Sequence, residues 1–508
     1  PGSGLRSRVR EAFRILKPLG GVAIIDKPID SILAAKEVGG WFADAKLDAE
    51  VDTNADGVWA RITKGRLFGA GEWSHQYGRA DNSAYGGELL SWVRATAAMQ
   101  TQWVGRPGPR YQPDRNGRKP GPLATAGRLF AQGLQRLIAI DAYNGTIIWS
   151  VEIPELARFN IPRDSSNWCA DSNYVYVVVK DRCWRLDAKD GTLSHQFIVE
   201  RGSNNDWQYD WGFVASEGDL LLGSATKQDS SYTEFRGHSA WYDQPTGPES
   251  FKVCSDNLFA MDKTTGDARW KYADGVIINP TITVGDGLVY FVECRNEKVK
   301  AAKQRRIGMQ QLWQNQFLVA LNVADGKVVW EQPIDTDDGE SVFYLAYQNK
   351  KLVIVASGNK KFHVSTYDST NGKLAWEDRF DWPEGAHDHG KAMSRPAMVD
   401  RKLFVRPRVY DLATGTPAAS VMPGGGCGTY ACAGNFLIYR SGNVTLWDHR
   451  YEVPSQWSRL RPGCWLSAIP AGGMLLAPEA GGGCSCGNWM ETSIGFIPKK
   501  ARVLTKEK

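Results

Sequence analysis

The stretch IDAYNGTIIW at residues 140–149 decides the fold, because the chain repeats it. MDKTTGDARW (261–270), LNVADGKVVW (321–330) and YDSTNGKLAW (367–376) follow the same plan. Each has an Asp or Asn, a Gly four residues later and a Trp eight residues later. Asp187/Gly191 and Asp411/Gly415 keep the acid and the glycine but lose the Trp. Successive acids stand 46, 75, 60, 46 and 43 residues apart. A pattern recurring at such periods marks a stacked or radial repeat.

The unit has a local physical logic. A short apolar strand (LIAID, LFAMD, LVALN) ends at the acid, whose side chain can accept from the amides of the next turn. The Gly takes the left-handed position of that turn. A second strand leads to the Trp. NYVYVVV (173–179) and GLVYFVE (287–293) supply a further strand per unit. The economical solution is a four-stranded blade whose Trp packs against its neighbour. The expectation is therefore a mainly β chain, an eight-bladed β-propeller with a small N-terminal α/β segment. Blades fall near 123–153, 166–199, 211–276, 277–336, 340–381, 391–421, 428–457 and 464–498. The last is completed by a strand near Trp103. Seven blades is the alternative, because the final two lack clear repeats.

Composition fits this reading. The chain has 508 residues, 42% of them hydrophobic, with 53 Gly and 20 Trp. The net charge of +5 is small for the length and leaves no general nucleic-acid footprint. No apolar run is long enough to span a membrane. No secretory signal is visible, and Pro1-Gly2-Ser3 reads as a cloning remnant.

The four Trp-bearing segments resemble the tryptophan-docking repeats of the quinoprotein-like propellers. That superfamily includes the pyrroloquinoline quinone (PQQ) alcohol dehydrogenases and outer-membrane assembly lipoprotein scaffolds. The resemblance covers about residues 71–498. It implies a propeller over 71–508 and an extracytoplasmic, periplasmic location. Its dehydrogenases carry adjacent cysteines at the cofactor, a Ca²⁺ held by Glu and Asn, and a catalytic Asp. This chain has no Cys-Cys pair; Glu293 and Asn296 can imitate part of the calcium set, and Asp164 can serve as a base.

Residues 1–70 are different. Leu5, Val9, Phe13 and Leu16 recur at helical spacing over 5–17. A buried parallel strand is expected at 22–26, a helix over 31–43 and a strand at 58–63. ILKPLGGVAIID (15–26) resembles the C-terminal part of a class I methyltransferase. The glycine-rich cofactor loop of such an enzyme is absent. Half of a Rossmann-like sheet, or a small α/β cap on the propeller, is the expectation.

Propellers bind ligands at the channel mouth, on loops. Candidate loops hold Arg163, Asp164, Asn167 and Trp168; Glu293, Arg295 and Asn296; Arg440; Arg461 and Trp465; and Trp489. Arg, Glu, Asn and Trp together suit a polar ligand with an aromatic platform. The same residues can instead satisfy loop carbonyls and tie blades together. There are nine cysteines, five of them in the last 82 residues. Cys464, Cys484 and Cys486 can form disulfides, remain free thiols or make a thiolate metal set with Cys427. His387 and His389 lie two apart and can chelate from one face of a strand. The basic loop 105–122 and the basic, helix-forming insertion 296–316 read as solvated surface.

Two functions follow. One is a binding module taking a small-molecule or protein ligand at a polar, Cys-rich mouth. The other is an oxidoreductase of the alcohol or sugar dehydrogenase type, with PQQ and Ca²⁺ or a Cys/His-bound metal. A third makes the propeller the accessory of a methyltransferase.

Overall fold

The structure, a computed structural model, describes residues 2–28, 35–54, 57–107, 120–133, 135–156, 166–200, 207–230, 247, 250–384, 395–424, 429–451, 453–463, 466, 468–479, 490 and 492–499. Among these the chain is mainly β. After a three-stranded N-terminal sheet come eight antiparallel sheets. The first holds Leu123–Thr125, Arg128–Gly133, Arg136–Asp141 and Ile147–Glu152 in that order. The others follow the same up-and-down plan, except that the sixth has three described strands and the fourth is widened by Lys252–Ser255 and Arg306–Ile307.

Burial orders the strands. The first strands of the sheets are almost wholly buried: Leu123–Thr125, Trp168–Ala170, Tyr209–Glu217, Val342–Gln348, Ala397–Val399, Ala431–Ala433 and Ile469–Ala471. The last strands, such as Val328–Ile334 and Leu374–Asp381, are half exposed. Inner strands of neighbouring sheets touch, the fifth and sixth sheets are joined by Gln348 Nε2 donating to Met398 O at 3.1 Å, and Ile469–Ala471 of the eighth touches Leu123–Thr125 of the first. The sheets therefore stand in a ring around a channel lined by their first strands.

Met99–Pro107 pairs antiparallel with Thr492–Pro498 and becomes the outer strand of the eighth sheet. The first and last strands of the ring thus share one sheet, and the ring has no open edge between them. Trp103 on this strand donates its indole N–H to Ala142 O at 2.8 Å in the first sheet. Trp149, Trp270, Trp330 and Trp376 each do the same to the residue after the acid of the next sheet's turn: Ala188, Val323, Ser369 and Leu412, at 2.7–3.0 Å. Each ring also lies where a Cβ on the next turn's glycine would sit, 2.4–2.9 Å away at Gly145, Gly191, Gly326, Gly372 and Gly415. These glycines have φ of +68 to +78°. Only a residue without Cβ meets both demands.

The N-terminal unit differs from expectation in two ways. Gly21–Pro28 pairs antiparallel, not parallel, with Gly57–Lys64, and Glu50–Asn54 pairs on its other side. The first strand is also not buried: Ile24 is 62% exposed, because the helices Gly2–Ile15 and Ala35–Asp44 cover only the opposite face. The insertion at 296–316 is mostly not helical. An α-helix spans only Glu297–Lys300, and a single 3-10 turn spans Gln310–Trp313. Arg305 turns inward to pair with Asp256 and takes the carbonyls of Lys300 and Ala302, which stops the helix. Arg306–Ile307 then joins the fourth sheet.

Candidate functional site

Residues 71–90, which open the β region, form no strand. They run as a collar inside one end of the ring and meet the sheets in chain order. Gly472 N–H of the eighth sheet donates to Gly71 O at 2.9 Å, and Trp73 exchanges both bonds with Ala124 of the first at 2.8 Å. Ala170 N–H donates to Ser74 O at 2.8 Å, and Ser216 N–H donates to the His75 ring at 3.1 Å. Val284, Tyr347, Met398 and Cys432 then donate to the carbonyls of Ala80, Asp81, Ser83 and Ala84 at 2.7–2.9 Å. All eight sheets are reached.

Glu88 fastens the ends. Its carboxylate accepts from Gly71 N–H at 2.9 Å, Gly473 N–H at 2.7 Å and Leu90 N–H at 3.1 Å. Burial pushes this carboxyl up to about 7, against the pull of those N–H donors. His75 is pushed the other way, down to about 3, by burial and then by the charge of Lys263. The collar meets the closing ends of the inner strands.

Where inner strands begin, polar groups are buried without partners. Trp168 Nε1, both amide atoms of Asn279, Nε and Nη1 of Arg395, and Thr429 Oγ1 make no hydrogen bond among the described residues. They come from four different sheets: the second, fourth, sixth and seventh. Arg395 is 2% exposed. Its guanidinium lies 3.5 Å from the ring centre of collar Tyr77 and 4.3 Å from that of Tyr344. The rings offset part of the cost of burying the charge, and no ion pair of Arg395 occurs among the described residues. Burial pulls its pKa down. Arg406, at the same end of the sixth sheet, donates to Tyr430 Oη.

Of the residues expected from sequence, Asn167, Trp168 and Arg440 are buried at this channel end. Asn167 Nδ2 donates to Gln132 at 3.4 Å. Arg461 lies between the seventh and eighth sheets, and its carbonyl accepts from Met490 N–H at 2.9 Å. Glu293, Arg295 and Asn296 sit elsewhere. Glu293 accepts from Tyr272 Oη at 2.9 Å, Gly275 N–H at 3.0 Å and Arg295 Nε at 2.7 Å. Arg295 goes on to Glu331 at 2.7 Å, on the outermost strand of the fourth sheet. Asn296 Oδ1 caps the helix Glu297–Lys300 through Lys298 N–H at 3.0 Å. These groups clamp the outer parts of the third and fourth sheets.

Arg163, Asp164, His387, His389, Cys464, Trp465, Cys484, Cys486 and Trp489 lie outside the described residues. Cys169, Cys183, Cys254, Cys294 and Cys432 are free and buried. Among the described residues no cluster of three or more His, Cys, Asp or Glu side chains could hold a metal. Sequence reasoning missed Tyr77, Tyr344, Arg395 and Thr429. Their signal is position alone: Arg395 and Thr429 each stand two residues before an inner strand.

The family described as outer membrane protein assembly factor BamB matches residues 86–226 and 311–415. No curated protein matches the chain. Among solved structures, a europium-containing methanol dehydrogenase is 12% identical with a TM-score of 0.53, over 80% of this chain and 89% of its own. The quinohemoprotein alcohol dehydrogenase from Comamonas testosteroni is 13% identical with a TM-score of 0.54, over 86% and 82%. The quinohemoprotein alcohol dehydrogenase ADHIIG from Pseudomonas putida HK5 is 12% identical with a TM-score of 0.53, over 86% and 81%. At these identities the likeness concerns architecture, and the ring of four-stranded sheets is that architecture. The chain has the fold of the PQQ-like β-propeller superfamily.

Proposed function

We propose that this chain is an eight-bladed binding propeller over 71–508, taking a polar, negatively charged ligand into its channel. One observation carries the reading. Unpartnered buried polar groups from four sheets stand where inner strands begin, and one of them, Arg395, is buried against collar Tyr77 and Tyr344 with no ion pair among the described residues. Buried polar groups are normally satisfied, and a buried charge is normally paired. A ligand bearing a carboxylate or similar anion, with acceptors for Asn279 and Trp168, supplies what is missing. A small molecule or an acidic side chain of a protein partner has that chemistry. An extracytoplasmic location accompanies this reading through the resemblance to quinoprotein-like propellers.

The dehydrogenase reading receives less support. Glu293 and Asn296 are engaged in an ion pair and a helix cap, so they do not fit a calcium set. Arg395 and the Tyr77 and Tyr344 rings do fit an anionic, planar group. They would hold its carboxylates and orient it in the channel. PQQ, if bound there, would supply two-electron redox chemistry.

Tryptophan fluorescence titration with PQQ, as a tricarboxylate probe, tests both. Saturable quenching that vanishes in Arg395→Gln supports the channel site. Calcium dependence of that quenching would move the assignment to the oxidoreductase. Quenching unchanged in Arg395→Gln would sink the proposed site.

A further inference from the structure

A cleft lies between the N-terminal unit and the ring. Its volume is about 480 Å³, a size that suits a small-molecule ligand. One wall is the end of the helix Gly2–Ile15 with its following turn and Lys64: Arg14, Lys17 and Lys64. The other wall is the eighth sheet and the first sheet's turn: Gln100, Gln102, Asn144 and Lys499. Four cations line the cleft and no carboxylate does.

The charges are only partly compensated. Arg14 pairs with Glu11, and Lys17 reaches Asp141 at 2.8 Å, both acids lying outside the lining. Lys64 and Lys499 make no ion pair among the described residues. Lys64 is 6% exposed, and its ammonium donates to one acceptor, Arg14 O, at 2.8 Å. An ammonium has three protons to place. Burial and the nearby Arg14 charge both disfavour the charged form of Lys64, which an anion in the cleft would reverse. Around the cations the amides of Gln100, Gln102 and Asn144 supply neutral donors.

We propose that this cleft binds a small polyanion carrying two or more phosphate or carboxylate groups, held jointly by the N-terminal unit and the propeller. Neither wall holds all four cations. The ligand therefore also fastens the two units together. Nothing in this assignment depends on the channel site.

Calorimetric titration of the full chain with inorganic pyrophosphate, and separately with citrate, is the test. Saturable binding of either that persists in Arg395→Gln supports the site, and the one that binds names the anionic group. Lys499→Glu and Gln102→Glu change exposed positions, so folding is not at risk. Each should weaken binding by about tenfold or more at low salt. Lys64→Met should weaken it as well, with circular dichroism confirming the fold. Arg395→Gln should leave it unchanged. Absence of saturable binding of both probes overturns the proposal. So does binding that survives both glutamate substitutions, or binding lost in Arg395→Gln.

Discussion

Trp270 shows how one residue joins two sheets. Its indole N–H donates to Val323 O at 2.7 Å, and its ring covers Gly326, where a Cβ would come within 2.5 Å. It is 8% exposed, so most of its apolar surface is buried. Trp270→Ala removes the packing and the bond together. The expected loss is about 3–5 kcal/mol, read as a lowered midpoint in chemical denaturation; a near-zero shift would contradict the packing role. This residue was legible in the sequence because the Asp/Gly/Trp spacing repeats. His195 was not. It occupies the Trp place against Gly266 in the second sheet, at 2.6 Å from where a Cβ would be. Nothing in the motif says that a histidine can fill a tryptophan's position.

At the scale of elements, the collar is the part the sequence concealed. Residues 71–90 lack strand periodicity, since each residue answers to a different sheet. Its buried His75 makes a testable contribution. The folded ring is neutral down to about 3, while the unfolded ring takes a proton below the ordinary 6.5. Unfolded chains therefore bind more protons in that window. The stability from His75 is complete above 6.5 and is lost as pH falls toward 3. One proton corresponds to about 1.4 kcal/mol per pH unit. Wild type should lose more stability than His75→Gln between pH 7 and pH 4, measured by urea denaturation. Parallel curves would show that His75 does not titrate as its burial dictates. Glu88 acts with the opposite sign: its raised pKa favours the protonated native state below about 7. The single variant is needed to separate the two. Candidate sites fared similarly. Asn167, Trp168 and Arg440 were recognisable as polar residues flanking strands. The Glu293–Arg295–Asn296 group was equally recognisable, yet it turns outward, because Tyr272 and Glu331 on outer strands capture it.

For the whole molecule, closure is the governing feature. Met99–Pro107 completes the eighth sheet, and the collar immediately before it laces all eight together. A chain starting at residue 71 should keep one cooperative unfolding transition in calorimetry, losing the N-terminal sheet, the Lys17–Asp141 and Arg66–Glu72 pairs, the Leu89 N–H bond to Gly69 O and the packing of Leu19 and Leu67 on the ring. A chain starting at residue 99 should melt markedly lower or fail to accumulate as soluble protein. Equal melting of the two truncations would mean that the collar contributes nothing to holding the ring.

The sequence by itself determined the repeat, the turn chemistry of Asp and Gly, the placement of the Trp residues and the closing role of the strand around Trp103. All of these are local or periodic, so they are written in short windows of residues. Tertiary structure alone decided which polar residues and which of the described cysteines are buried, that the N-terminal strands pair antiparallel and that residues 71–90 bond to all eight sheets. Those outcomes depend on contacts between residues tens to hundreds of positions apart, where burial and partner geometry, rather than local propensity, set the energy.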